Sequence, residues 1–294
     1  MEIVQSIILG IIQGLAEFLP ISSSGHLILV SNFSNWKDQG LAFDVALHLG
    51  TLIAVLIYFR KDWLDIFRNS YLLKSIKYIR WFHSPVKAVE PFVQKIMTED
   101  VSRQNWFINK KELKNDLFLI IMIATIPGVL AGLIFGDYAE TIFRNPILVA
   151  ITLFCGALLL FYAEKVGKKN GDILEITLKS GIIIGLFQAL AIFPGVSRSG
   201  ITITVALLLG LSRTSSARFS FLLSTPIILG AGIMEFPNLI QNGLDINILA
   251  GVATAAISGY FAIKYMIKYV ENKSYNIFVG YRMILAVLIL IFLL

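Results

Sequence analysis

Six apolar runs, near residues 43–59, 117–136, 146–163, 217–236, 248–267 and 277–294, limit what this chain can become. Each is about 17 to 20 residues long, which is the length an α-helix needs to cross a bilayer core. They do not show the short apolar–polar alternation of a membrane barrel. Composition agrees, with 56% of the 294 residues hydrophobic and only 15% charged, whereas a soluble domain carries about 25% charge. The chain therefore reads as an all-α polytopic membrane protein. Met1-Glu2 brings no basic region, and no small-residue cleavage site follows, so the N-terminus does not read as a signal peptide. The single cysteine, Cys155, lies in an apolar run and suits packing; alone it forms no intramolecular disulfide or cysteine cluster.

Two further apolar segments, 3–30 and 176–209, are broken by Pro, Gly and Ser. Each is long enough to enter a membrane and turn back, so both read as re-entrant helical hairpins. Irregular backbone survives at membrane depth only where protein or a wet cavity surrounds it.

Charge tests this layout. If both hairpins return to their starting side, the N-terminus and loops 31–42, 137–145 and 237–247 share one face and carry only Lys37 and Arg144. Stretches 60–116, 164–179, 210–218 and 264–282 share the other and hold twenty-two Lys or Arg. Positive loops stay in the cytoplasm, which makes the second face cytoplasmic. The formal net charge of +6 is thus a topology signal and not a nucleic-acid footprint. Segment 61–115 is expected to form amphipathic cytoplasmic helices at the membrane surface.

A shift of 175 residues superposes the two broken segments: over residues 7–25, ten of nineteen positions are identical without a gap. Apolar bias would explain matched Ile and Leu, but not Gln13 on Gln188, Ser22 on Ser197, and Ser24-Gly25 on Ser199-Gly200 in one register. The chain then divides into two repeats, 1–163 (with 61–115 as an insertion) and 176–294. Each is one hairpin plus three crossings. Three is odd, so the repeats are inverted and their broken tips are expected to meet near the midplane, as in many transporters.

The first tip, QGLAEFLPISSSGH at 13–26, sets Gln13 and Glu17 on one helix face. A carboxylate there needs a cation, a metal or a shared proton, and Arg198 is the obvious structural partner. Pro20 breaks the helix, and Ser22, Ser23, Ser24, Gly25 and His26 follow. The second tip, PGVSRSGIT at 194–202, offers Ser197, Arg198, Ser199, Thr202 and free N–H groups at a helix start. Helix N-termini bind anions and Arg grips phosphate through a fork, so this tip reads as a phosphate cradle. Glu17, Ser23 and His26 form the reactive set, suited to nucleophilic attack or proton transfer. Glu17 with Gln13 is a candidate holder of a divalent cation (Mg or Ca) that neutralises diphosphate charge. A blander role, bonding a nearby carbonyl, is open for Ser22 and Ser24. Asp44 and His48, also at i, i+4, have two readings, lining the same cavity or, the favoured one, an interfacial cap or a structural hydrogen bond. Pro127, Pro226 and nearby glycines are expected to serve kinks and close packing.

These residues resemble the undecaprenyl-diphosphate phosphatases of the type linked to bacitracin resistance. The first signature of that family runs here from Gln13 to His26 and the second from Pro194 to Thr202, both complete. The resemblance implies removal of the terminal phosphate of a C55 polyprenyl diphosphate, with a divalent cation, giving the monophosphate carrier of cell-wall synthesis. It implies a bacterial cytoplasmic (inner) membrane enzyme whose site opens outward. Glu17, Ser23, His26 and Arg198 become the expected catalytic residues, with Ser197, Ser199 and Thr202 beside Arg198 on the phosphate. Gln13 fills a position that is Glu or Gln in the family, which weakens one metal ligand. Ser23, His26 and water all remain candidate nucleophiles. A homodimer through Gly-rich crossings is a further expectation. The rival reading is a transporter or flippase for an anionic lipid or small anion at the same site, favoured by architecture; the adjacent Glu, Ser and His favour chemistry.

Overall fold

The computed structural model describes residues 2–34, 36, 40–70, 116–241 and 245–293. Eleven helices are present among them: α1 Ile3–Phe18, α2 Ser23–Phe33, α3 Gly40–Tyr58, α4 Arg60–Asn69, α5 Leu117–Glu140, α6 Pro146–Val166, α7 Leu178–Gln188, α8 Arg198–Leu208, α9 Arg213–Gln241, α10 Ile246–Asn272 and α11 Asn276–Leu293. The described residues contain no strand, only an isolated bridge between Gly171 and Leu211. Helices α3, α5, α6, α9, α10 and α11 are long and apolar enough to cross a membrane, and they are the six crossings expected from the sequence. Helix α9 begins earlier than expected and continues through Pro226 and Pro237. Prolines inside membrane helices are tolerated because neighbours satisfy the freed backbone groups.

The two broken segments form helix pairs, α1 with α2 and α7 with α8, each joined by a short irregular tip. Their packing is reciprocal: α1 lies against α10 and α7 against α5. Glycine makes both approaches close. A Cβ on Gly10 would lie 2.3 Å from the carbonyl oxygen of Gly251, and one on its repeat mate Gly185 would lie 2.4 Å from that of Ala124. Helix α3 packs on α10 and α9, while α6 packs on α2, α8 and α11. The core fills the space behind the tips, with Phe18 and Phe221 meeting edge-on at 5.2 Å.

Helix α4 opens the expected surface segment. Trp63 and Ile66 are buried while Leu64 and Phe67 are exposed, the two-faced pattern that segment calls for. The expectation for 71–115 lies outside the described residues. One charge is placed differently from its loop assignment. Arg282, counted with the cytoplasmic cations, is fully buried in α11.

Candidate active site

Both tips are built by the same local device. Helix α1 stops at Leu19, whose backbone is extended, because the ring of Pro20 disfavours helical geometry in the residue before it. Ser22 then adopts φ 74° and caps α2, and Ser197 adopts φ 72° and caps α8. A positive φ costs a serine about 1–3 kcal/mol, and hydrogen bonds hold it in place. Ser22 Oγ accepts from the N–H of Gly25 at 3.3 Å and of Gly195 at 3.0 Å, and Ser197 Oγ accepts from Gly200 N–H at 3.0 Å. The Gly195 bond ties the second tip to the first. Gly195 has φ 92°, and a Cβ there would lie 2.1 Å from Thr152 Oγ1, so only glycine fits.

The carboxylate of Glu17 is the centre, and it is buried. Its Oε1 accepts from Arg198 Nη2 at 2.7 Å. Its Oε2 accepts from Ser23 Oγ at 2.5 Å and from Gln13 Nε2 at 3.1 Å. His48 Nε2 lies 3.3 Å from the same oxygen. Arg198 is held at its other nitrogen, where Nη1 donates to the Ser220 carbonyl at 2.8 Å. Its guanidinium carries further N–H donors for an anion. The pairing of Glu17 with Arg198 weighed at the sequence level is therefore present, and it sits inside the reactive set.

The other phosphate-cradle candidates hold the frame. Ser199 Oγ donates within reach of the Glu17 carbonyl at 3.0 Å and the Leu19 carbonyl at 3.1 Å, and lies 3.2 Å from Ser197 Oγ. Thr202 Oγ1 lies 2.8 Å from the Arg198 carbonyl and 2.7 Å from Ser220 Oγ. Ser24 Oγ faces Ser22 Oγ at 3.4 Å. His26 Nδ1 lies 2.6 Å from the Ser22 carbonyl and Nε2 lies 2.6 Å from Tyr281 Oη. A carbonyl only accepts, so Nδ1 carries the proton and neutral Nε2 accepts from the Tyr281 hydroxyl.

Asp44 and His48 part company. Asp44 pairs with Arg144 at 3.0 Å, a structural role as expected. His48 makes its structural bond too, Nδ1 to the Asp44 carbonyl at 2.7 Å, but its ring also reaches Glu17 because α3 packs beside α1. For His48 the less favoured cavity-lining reading therefore holds beside the structural one. Arg282 is the residue overlooked, and its signal was legible: an Arg six residues into an apolar run is an intramembrane charge.

A divalent cation can be tested against the donor set. Gln13 Oε1 is buried with no hydrogen-bond partner and belongs to the side chain beside Glu17. Among the described residues no cluster of three or more His, Cys, Asp or Glu is placed to hold a metal. Gln13 Oε1 and the Glu17 carboxylate are the oxygens that the described residues offer a divalent cation at this point.

The family model described as bacitracin resistance protein BacA matches residues 6–288. This chain belongs to that family. It is 44% identical over 289 residues to an undecaprenyl-diphosphatase of Moorella thermoacetica, covering 98% of this chain and 97% of that protein. A protein of the same name from Geotalea daltonii is 42% identical over 297 residues, covering 99% and 98%. A third, from Gemmatimonas aurantiaca, is 40% identical over 290 residues, covering 98% and 97%.

Proposed function

We propose that this member of the BacA family hydrolyses undecaprenyl diphosphate to undecaprenyl phosphate and inorganic phosphate. The observation that carries the reading is the single buried carboxylate of Glu17, held by Ser23 Oγ at 2.5 Å and Arg198 Nη2 at 2.7 Å. The near-full-length relatives bearing the name undecaprenyl-diphosphatase support it. The transporter alternative draws no support from them, since theirs is the name of an enzyme.

In this reading Ser23 is the nucleophile. Its oxygen bonds to the terminal phosphorus, its proton passes to Glu17 Oε2, and the bridging P–O bond breaks to release undecaprenyl phosphate. Water then cleaves the phosphoseryl bond and frees inorganic phosphate. Arg198 and the first-turn N–H groups of α2 and α8 stabilise the charge on the transferring group, which is most of what phosphoryl transfer asks of a protein. Ser197, Ser199 and Thr202 hold that N-terminus in shape around the phosphate. His26 Nε2, lent to Tyr281, is the base within the first tip that suits the water step. Gln13 Oε1 and Glu17 are the residues to hold a divalent cation, which when bound neutralises diphosphate charge.

The tips suit a bilayer depth reached by re-entrant hairpins, with the repeats inverted and the site open to the outer face of the cytoplasmic membrane. The reciprocal packing of α1 on α10 and α7 on α5 supports the inversion. For a homodimer, the face of α5 at Gly132 and Gly136 is the one we propose, since an added Cβ there would meet nothing within 4 Å, whereas Gly10 and Gly185 are used in internal packing. The direct test is to incubate purified protein in detergent with undecaprenyl diphosphate and separate the lipids. Appearance of undecaprenyl phosphate with equimolar phosphate supports the reading, and intact diphosphate bound without turnover overturns it.

A further inference from the structure

Arg282 is fully buried in α11, and its guanidinium reaches three parts of the molecule at once. Nη1 donates to the Pro20 carbonyl of the first tip at 3.1 Å. Nη2 donates to the Gly195 and Val196 carbonyls of the second tip, each at 3.0 Å. On α6, Nε meets the Leu153 carbonyl at 3.2 Å and Nη2 lies 3.5 Å from that of Thr152. A buried cation is costly unless its donors are satisfied, and here carbonyl dipoles satisfy them. Two glycines make the room: a Cβ on Gly156 would lie 2.0 Å from Nη2, and one on Gly200 would lie 2.8 Å from Nη1.

We infer that Arg282 is a positioning residue for the diphosphatase reaction. It locks the two tips in the one mutual register in which Ser23 and Arg198 reach opposite oxygens of Glu17. Its kinetic consequence rests on the diphosphatase reading, and its structural consequence does not. A planar guanidinium fork binds several carbonyls in fixed directions, whereas an ammonium is a single point charge. Charge alone therefore does not do this work. A carbonyl turned toward Arg282 also turns the N–H of the same planar peptide away from it. The Val196 carbonyl thus orients the N–H of Ser197, the residue that caps α8.

The test compares Arg282→Lys and Gly156→Ala with wild type as full-length purified protein, by two readouts. Hydrogen–deuterium exchange of segments 18–26 and 193–200 reports on the tips without any turnover. The clamp predicts faster exchange in both segments together in both variants. It also predicts a fall of about tenfold or more in kcat, as small misplacements of reacting groups produce, with KM little changed. Gly156→Ala keeps every tip residue and displaces only the guanidinium, so it decides the matter even if Arg282→Lys does not fold. Unchanged exchange in both tips, or a Lys variant with wild-type kcat, overturns the clamp. Absence of phosphate release from wild type overturns the diphosphatase reading instead, and the exchange result still decides the role of Arg282.

Discussion

Ser23 and Arg198 stand 175 positions apart, each the first residue of the helix after its tip, and both donate to one carboxylate: Ser23 Oγ to Glu17 Oε2 at 2.5 Å, Arg198 Nη2 to Glu17 Oε1 at 2.7 Å. The two matching sequence segments deliver a hydroxyl from one and a cation from the other. The second copy has Ile192 where the first has Glu17. The two tips therefore share one carboxylate.

That asymmetry separates two neighbouring serines. Ser23→Ala removes the hydroxyl on Glu17 and is expected to lower kcat by about 10²-fold or more, the scale of losing an activated nucleophile or its equivalent. Ser24→Ala touches only the bond to Ser22 Oγ and is expected to stay within about threefold of wild type, a change near 0.6 kcal/mol. Phosphate release by both purified variants checks this; equal losses would contradict it.

His48 gives a second contrast. Its ring contacts Glu17 Oε2 at 3.3 Å; with Nδ1–H on the Asp44 carbonyl, Nε2 donates there as part of an imidazolium, so a side chain that keeps an N–H donor there should preserve the carboxylate's geometry. His48→Gln is expected to retain most activity, and His48→Leu to lose about tenfold, the worth of a hydrogen bond to a charged group. Initial rates at saturating lipid decide it. An active Leu variant would return His48 to a purely structural role.

Much of this was legible in the sequence for a physical reason. Membrane length constraints expose the six crossings, and polar residues at membrane depth are costly enough to mark function. That is why the sequence singles out Gln13, Glu17, Ser23 and Arg198, whose side chains the structure brings into contact. His48 was only the less favoured reading, because its link to Glu17 depends on α3 packing against α1, a tertiary contact with no local pattern. Arg282 is legible as a charge inside the last apolar run, but it also falls in the overlapping stretch 264–282 that is counted with the loops. The carbonyls that the hydroxyls of Ser199 and Thr202 meet were not legible, because the sequence shows which groups are polar and not what lies beside them.

Close packing of the hairpins makes a stability prediction. Gly185→Ala would set a Cβ 2.4 Å from the Ala124 carbonyl oxygen, forcing α7 away from α5. Overpacking of this kind costs about 1–3 kcal/mol. Thermal unfolding in detergent should show a lowered midpoint. Gly230→Ala, with nothing within 4 Å of its Cβ, should melt at or above wild type, since Ala is the better helix former; equal melting of the two would contradict the packing account.

Orientation follows from the charge split. A protease-cleavable tag inserted in 61–115 is expected to resist external protease in intact cells and to be cut after lysis, because Lys- and Arg-rich loops remain cytoplasmic. Cleavage in intact cells would overturn the orientation and the inverted repeat together.

The central claim, that one buried carboxylate shared by two tips performs the hydrolysis, is tested most directly by phosphate release from undecaprenyl diphosphate in detergent by wild type, Glu17→Ala and Arg198→Ala at matched folding, with and without a chelator. The account predicts release by wild type that the chelator suppresses, and a loss of about 10²-fold or more in each variant. Undiminished release from either folded variant would contradict it.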